Sequence, residues 1–585
     1  MTASTKGNSV INFMRGYLPI LDWTSSYSKN QLSGDINAGL VTAIMLVPQG
    51  MAYAMLMGLP PQIGLYSSLL PLVLYAVFGS SRVLSVGPVA LVSLMVASTL
   101  NSLSATLSLD ELIGAAGLLA LMVGVISIAM GLLRLGFIVN FISHHVVSGF
   151  TSAAAMIIGF SQLKHLLGIN IPRTHNIYTI METALGEISS INIATFIIGV
   201  AAIAMLFFFK NNLSGLLART ALASGAKDAI TKSGPLVVVM LSTLAVYAFG
   251  LDVSHDVKIV GAIPKGLPPI TMPVLDMKLF QPLIASAILI SFVGFVESVS
   301  VAKVLASRRR QKIVPNQELV GLGAANIGAA ISGGFPVTGG FSRSSVNYHA
   351  GANTPLASII TAFIVAITLS FLTPLLHYLP KAILASIIMV AVMALIDHQA
   401  VRHAWRYSKA DAFSLISTIA AVLIFGIEIG LAIGVFISIA LYLRRTSHPH
   451  VAIIGRVPGT EHFRNFLRHE VLRSKKVTVV RIDESLFFAN AAWLEDWALE
   501  FIADNPESKH LVLNCAAINF IDGSALEVLE RMDEELSNAG VMLHLAEIKG
   551  PVMDRLKKSK LIDHLGPTRI HLNTHVAMTN LGYPM

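Results

Sequence analysis

The chain has 585 residues, 54% of them hydrophobic and 13% charged, with a mean hydropathy of +0.70. Soluble domains carry about 25% charged residues, so an ordinary globular enzyme is excluded and an integral membrane protein with a polar annex is expected. The formal charge of +8 fits Lys and Arg gathered at cytoplasmic helix ends better than nucleic-acid binding, for which there is no motif.

The first 35 residues are polar and hold no apolar run, so residues 1–34 read as a cytoplasmic N-terminal segment without a cleaved secretory signal. Trp23 and Tyr27 within it read as membrane-interface anchors. No Asp, Glu, Lys or Arg occurs between Asp35 and Arg82, or between Arg82 and Asp110. A spanning helix needs roughly 20 apolar residues, so the first gap holds two helices, split at "GLPPQIG". Further spans are predicted near 111–133, 137–162, 191–209, 235–250, 280–302, 319–332, 355–378, 381–397, 411–426 and 428–443. Two more segments are short and interrupted, 84–98 and 333–347, giving about fourteen in a transmembrane domain over 35–446. With the N-terminus inside, the inward loops carry most of the Lys and Arg, including Arg308, Arg309, Arg310, Lys312, Arg444 and Arg445, as the positive-inside rule requires. His144 and His145 open the fifth span. Adjacent histidines point to different faces and make a poor metal site, so an interfacial role is expected.

The two interrupted segments are "LSVGPVALVSLMVAS" (84–98) and "GGFPVTGGFSRSSVN" (333–347). Irregular backbone at membrane depth survives only where protein or a water-filled cavity covers it. Each segment reads as a short extended piece, a Gly or Pro, and a helix start. Counted as seven plus seven, both occupy position three of their half, which is the pattern of inverted repeats that aim half-helix N-termini at a midplane substrate. Such N-termini suit an anion. Arg343, the sole Asp, Glu, Lys or Arg between Glu318 and Lys381, adds a full positive charge, and Ser342 and Ser344 add hydroxyl donors. Arg343 snorkelling to the membrane surface is the competing reading. Glu297 is the sole charge between Lys278 and Lys303. Ala287, Ser291, Gly294 and Ser298 form a small-residue stripe beside it that permits close approach of a neighbour. A carboxyl in such a place could carry a proton, pair statically with Arg343, bind sodium, or sit at the cytoplasmic mouth.

Near residue 450 the composition changes. "KKVTVVRID", "HLVLNCAAINF" and "VMLHLAEI" read as buried strands, with amphipathic helices "AAWLEDWALEFIAD", "GSALEVLERMDEELSNAG" and "PVMDRLKKSKL" between and after them. Residues 447–585 are therefore predicted to form a small α/β domain. Cys515 reads as a small buried hydrophobe. Ser524 reads as a helix N-cap or, alternatively, as a regulatory site.

Residues 46–95 ("LVPQGMAYAMLMGLPPQIGLYSSLLPLVLYAVFGSSRVLSVGPVALVSLM") and 335–347 ("FPVTGGFSRSSVN") resemble the SulP family of anion transporters, which includes prestin. "NFIDGSALEVL" (519–529) is similar to the marker of a STAS domain. The resemblance runs from about residue 30 to 575. It implies core helices 1–4 and 8–11, gate helices 5–7 and 12–14, an elevator-type motion, and a homodimer. Substrate would lie between half-helices 3 and 10, lined by Gln49, Tyr53, Val89, Ala90, Ser342 and Arg343. Prestin has an aromatic where this chain has Val89, which implies a roomier pocket. Glu297 is similar to the proton-coupling acid of plant-type sulfate symporters, and Ser524 to the STAS serine phosphorylated in bacterial anti-sigma-factor antagonists.

The expectation is a multi-pass inner-membrane transporter with its N-terminus and STAS domain in the cytoplasm, importing an inorganic anion, sulfate first among the candidates, with protons. The STAS domain could hold cytoplasmic partners. No catalytic residue, cofactor, resident metal or nucleic acid is called for, and no Walker motif suggests a primary pump. Bicarbonate, chloride or dicarboxylate transport or exchange, and sodium coupling, are the alternatives within the class. An anion channel and a STAS-linked sensor are those outside it.

Overall fold

The computed structural model describes residues 18–104, 107–141, 143–171, 177–218, 230–231, 233–270, 272–273 and 275–583. Residues 1–17 of the N-terminal segment lie outside them. The chain divides into two compact units between Phe436 and Ile437, a boundary that falls within the helix Ile427–Ser447 described below with the first unit.

The first unit is helical. In chain order its main helices are α1 (Lys29–Leu56), α2 (Leu70–Phe78), α3 (Ala90–Leu103), α4 (Leu109–Leu132), α5 (His144–Ser161), α6 (Ile193–Asn211), α7 (Gly234–Phe249), α8 (Met277–Arg308), α9 (Pro315–Ile331), α10 (Phe341–His349), α11 (Leu356–Ile367), α12 (Lys381–Met393), α13 (Lys409–Phe425) and α14 (Ile427–Ser447). Among the described residues nine helical stretches are long and apolar enough to cross a membrane, and α3 and α7 are shorter apolar helices. Local chemistry sets the ends. Ser108 accepts the Glu111 N–H while the Glu111 carboxylate accepts the Ser108 N–H at 2.7 Å, a capping box that starts α4. Pro315 opens α9, where its missing N–H costs nothing.

Two details differ from the sequence reading. The second span is interrupted: a helix over Pro61–Tyr66 stops and α2 restarts at Leu70. The Ser67 and Ser68 hydroxyls donate back to Ile63 O and Gly64 O at 2.9 and 2.8 Å, so the break is hydrogen-bonded inside the protein. Trp23 is buried rather than anchored at an interface, and its indole N–H donates to Ala76 O at 3.2 Å.

Helix packing falls into two groups. α9 lies along α4 and α2, α11 along α1, and α8 along α4. Separately, α13 lies along α5, and α12 along α6 and α5. Contacts of α1 with α12 and α7, and of α3 with α5, join the groups. Glycine permits the tightest approaches. A Cβ on Gly64 would lie 1.9 Å from Gly50 O, so α1 and the Pro61–Tyr66 helix meet backbone to backbone.

The second unit is a six-stranded mixed sheet. Its strands are β3 (Val451–Arg456), β4 (Phe463–Asn465), β5 (Val477–Ile482), β6 (His510–Asn514), β7 (Met542–Ala546) and β8 (Ile570–His571), in the order β4-β3-β5-β6-β7-β8. β5 to β8 run parallel, and β3 is antiparallel to both neighbours. α15 (Ala491–Asp504) and α16 (Gly523–Asn538) cover one face through Leu494, Ala498, Leu529 and Met532. α17 (Gly550–Leu556) and α18 (Lys560–Leu565) replace the single helix expected over 551–561. α19 (Thr574–Asn580) covers the other face, packing Ala577 and Met578 on Val479 and Val512. The sequence reading found β5, β6 and β7 but not β3, β4 or β8. Cys515 is buried, and burial pushes its thiol up to about 12, so it is unreactive near neutrality.

Ser524 is not the N-cap of α16. Asp522 is, and its carboxylate accepts the Ala525 N–H at 2.8 Å, while Ser524 is exposed one residue into the helix. Asp522→Ala is expected to lower the stability of this unit by about 1 kcal/mol and Ser524→Ala to leave it unchanged, read from denaturant midpoints.

Three histidines cross the sheet in a chain. His510 Nδ1 lies 3.1 Å from His544 Nε2, and His544 Nδ1 lies 3.2 Å from His571 Nε2. Burial, with help from the neighbouring histidines and Arg569, lowers the His544 pKa to about 4, and burial lowers those of His510 and His571. The unfolded chain then binds protons that the folded unit refuses. The stabilisation is complete above about pH 6.5 and is lost as pH falls toward 4. Between pH 6.5 and 5 the loss from His544 alone is about 2 kcal/mol, at about 1.4 per pH unit. Urea midpoints of residues 450–585 should fall over this range, and His544→Gln should flatten the slope.

Candidate functional site

The interrupted segments meet. β1 (Val86–Gly87) precedes α3 and β2 (Thr338–Gly339) precedes α10. They pair antiparallel, Val86 with Gly339 and Gly87 with Thr338. Each half-helix therefore starts two or three residues after the same small ladder. Val89 and Gly340 are the residues before the two helices, and both are extended with no side-chain cap. The first N–H groups of α3 and α10 thus keep their donor capacity and the partial positive charge of a helix start.

Side chains from α8, α9 and the Ser67 turn hold the extended backbone in place, because buried N–H groups need partners. Ser67 Oγ accepts Phe335 N–H at 2.9 Å. Asn326 on α9 accepts Val337 N–H at 2.9 Å and donates to Val337 O at 3.0 Å. Ser298 Oγ on α8 accepts Gly339 N–H at 2.8 Å and lies 2.6 Å from Thr338 Oγ1, which donates to Gly294 O at 2.7 Å. The small-residue stripe of α8 explains the fit: a Cβ on Gly294 would lie 3.1 Å from Thr338 Oγ1, and Ser291 donates to Val123 O of α4 at 3.3 Å.

α10 grips the segment leading into α3 with three residues on one face. Arg343 Nη1 donates to Pro88 O. Ser344 Oγ accepts Ser85 N–H at 2.9 Å. Asn347 Nδ2 donates to Val83 O at 3.0 Å. Arg343 is 2% exposed, which disposes of snorkelling, and its Nε and Nη2 have no hydrogen-bond partner among the described residues. A guanidinium buried in this way is costly unless something completes its donors.

Of the residues expected at the site, Gln49, Tyr53, Val89 and Ala90 are buried, as is Arg343. Tyr53, Glu297 and Arg343 lie within electrostatic reach of one another. Glu297 is partly buried on α8, next to Ser298, and its Oε2 has no hydrogen-bond partner among the described residues. Ser342 is exposed on the first turn of α10, whereas Ser344 braces the α3 lead-in. The sequence does not single out Ser67, Asn326, Thr338 or Asn347 as scaffold residues, and it marks Ser298 only through the small-residue stripe. For Ser67 and Asn326 the available signal is a polar side chain inside an apolar run. Among the described residues no group of three or more His, Cys, Asp or Glu is placed to hold a metal. The arrangement gathers donors and one fixed cation, and that chemistry complements an anion.

Discontinuous helices meeting inside a helical bundle, with free donors at their N-termini, define a membrane carrier rather than an enzyme. Residues 32–418 match the sulfate permease family and residues 469–577 the STAS domain, so the chain belongs to the sulfate permease family of anion transporters and carries a C-terminal STAS domain. It is 36% identical over 594 residues to probable sulfate transporter 4.2 of Arabidopsis thaliana, covering 99% of this chain and 85% of that one. It is 35% identical to the chloroplastic sulfate transporter 4.1 of the same plant, covering 99% and 84%. Its fold is similar to that of murine solute carrier 26 family member A9, an anion transporter solved in the inward-facing state, with a TM-score of 0.88 at 23% identity over 98% of this chain and 95% of that one.

Proposed function

We propose that the protein is a secondary active transporter that imports sulfate with protons, binding the anion between the N-termini of α3 and α10 against Arg343. The observation that carries this reading is the buried Arg343 guanidinium, with Nε and Nη2 unpartnered among the described residues at the meeting point of two uncapped helix starts. Gln49, Tyr53, Val89, Ala90 and Ser342 line the site in this reading, and Glu297 carries the proton. The relatives named as sulfate transporters support the choice of anion. The two packing groups support an elevator, with α1–α4 and α8–α11 as the moving core and α5–α7 and α12–α14 as the gate. The antiparallel pairing of β1 with β2 supports a seven-plus-seven inverted repeat. The protein is an inner-membrane homodimer in this reading, with residues 1–34 and the STAS domain, 447–585, in the cytoplasm.

The test is uptake of labelled sulfate into proteoliposomes, competed with bicarbonate, chloride and dicarboxylates, under imposed proton or sodium gradients. Sulfate uptake accelerated by an inward proton gradient and indifferent to sodium is expected. Channel-sized currents, or binding without flux, would overturn the reading.

A further inference from the structure

The arm that leads into α3 is held along its length. Asn347 takes Val83 O, Ser344 takes Ser85 N–H, the β1–β2 ladder takes 86 and 87, and Arg343 takes Pro88 O. At its far end a fifth holder belongs to α9. Glu318 is 0% exposed. Its Oε1 accepts Ser80 N–H at 2.8 Å, the Ser80 hydroxyl at 2.7 Å and Ser81 N–H at 3.0 Å, and its Oε2 accepts the Tyr75 hydroxyl at 2.7 Å. All four donors are neutral. Neighbouring contacts reinforce the grip: Gln317 donates to Phe78 O at 2.6 Å, and Ser80 Oγ accepts Val314 N–H at 3.2 Å. A Cβ on Gly321 would lie 2.8 Å from Gly79 Cα, so α9 sits directly on the arm's backbone.

Burying a carboxylate without a cation is expensive, and four charge-assisted hydrogen bonds are what make it tolerable. Hydrophobic packing could join two helices at lower cost, but it would not fix the register of an irregular segment. A second carboxylate repeats the device on the other half-helix. Asp35 of α1, also 0% exposed, accepts Asn353 N–H at 2.6 Å, Thr354 N–H at 3.0 Å and the Thr354 hydroxyl at 2.7 Å, just past the end of α10.

We infer that Glu318 is a positioning residue for anion binding. It anchors the arm whose other end, Pro88 O, sets the orientation of the Arg343 guanidinium and the placement of the α3 N-terminus. This inference rests on the proposal that Arg343 binds the anion. If Glu318 is removed, Ser80 N–H and Ser81 N–H lose their acceptor, the arm relaxes, and the free Arg343 donors lose their aim.

The experiment measures sulfate affinity of the purified full-length protein by ligand-dependent thermal shift, and KM and kcat for uptake in proteoliposomes. Glu318→Ala is expected to weaken affinity and raise KM by about tenfold, the equivalent of about 1.4 kcal/mol. Glu318→Gln keeps an acceptor for Ser80 and Ser81 and can donate to Tyr75 Oη, so it should stay within about twofold of wild type. A merely structural role would lower the folded fraction and leave the affinity of the remainder unchanged. Folded Glu318→Ala protein with wild-type affinity overturns the inference, as does Glu318→Gln being equally impaired. Should Glu318→Ala not fold, Tyr75→Phe and Ser80→Ala each remove one donor and should weaken affinity by about threefold. Wild-type affinity in both overturns the inference. Arg343→Ala is measured alongside: if it retains affinity, the anion site itself is wrong, whereas loss there with none in the Glu318 variants rejects only the anchor.

Discussion

Arg343→Ala is expected to abolish measurable sulfate binding and uptake in a protein that still folds. Arg343 holds Pro88 O through Nη1 and leaves Nε and Nη2 without a partner among the described residues. Hydrogen bonds to charged groups contribute about 1.5–3 kcal/mol each, so losing two amounts to roughly 3–6 kcal/mol. That corresponds to a loss of affinity between about a hundredfold and ten-thousandfold. Folding should survive, because Ser344 and Asn347 still brace the same arm and the β1–β2 ladder is untouched. Arg343→Lys should recover less than about tenfold of the loss. An ammonium is a point charge that can face Pro88 O or the anion, whereas the planar guanidinium does both in one fixed geometry. Thermal-shift titration with sulfate and initial uptake rates measure both variants. Undiminished affinity in Arg343→Ala would remove the anion site from this place.

The broken helices were legible in the sequence because they violate the rule that surrounds them. A Gly-rich, Pro-containing stretch with one Arg stands out between apolar runs, and charge-free gaps locate the spans within a few residues. What the sequence did not reveal is how the breaks are satisfied. Asn326 and Ser298 look like ordinary polar residues in apolar helices, and their partners at Val337 and Gly339 are set by tertiary approach. Local propensity carries no trace of that approach. The stop at Ser67–Leu69 was hidden because its residues read as continuous helix until the hydroxyl of Ser67 is needed by Phe335. β4 is three residues long and carries no apolar run, so nothing local marks it. β3 is as long as β5, and its Val451–Ile454 run is apolar throughout, so it was as legible in the sequence as β5. Asp522 and Ser524 are both good caps for α16, and only the backbone, extended at Asp522, decides between them.

Glu297→Gln is expected to abolish the acceleration of sulfate uptake by an inward proton gradient, leaving a ratio with and without the gradient of about one, while sulfate affinity and anion-for-anion exchange persist. Moving one elementary charge across 100 mV is worth about 2.3 kcal/mol. Sulfate carries two negative charges into a negative interior, so import alone opposes roughly twice that. Arg343 cannot supply the difference, since a guanidinium keeps its charge through the cycle. A carboxyl that loads a proton outside and releases it inside offsets one of the two charges, and an inward proton gradient adds about 1.4 kcal/mol per pH unit. In the proposed reading Glu297 takes that role: it lies in electrostatic reach of Arg343, its Oε2 has no hydrogen-bond partner among the described residues, and its neighbour Ser298 holds the backbone of β2. Glutamine keeps the shape of the protonated acid and removes its ability to cycle. The anion should therefore still bind, and the loaded carrier should still cross and exchange, but no proton should follow. Uptake by this variant into proteoliposomes, with and without an imposed pH difference and at matched membrane potential, decides the matter. Wild-type stimulation would take Glu297 out of the mechanism and leave a sodium ion or an exchanged anion as the coupling species. Loss of exchange together with loss of stimulation would make Glu297 part of the binding site instead.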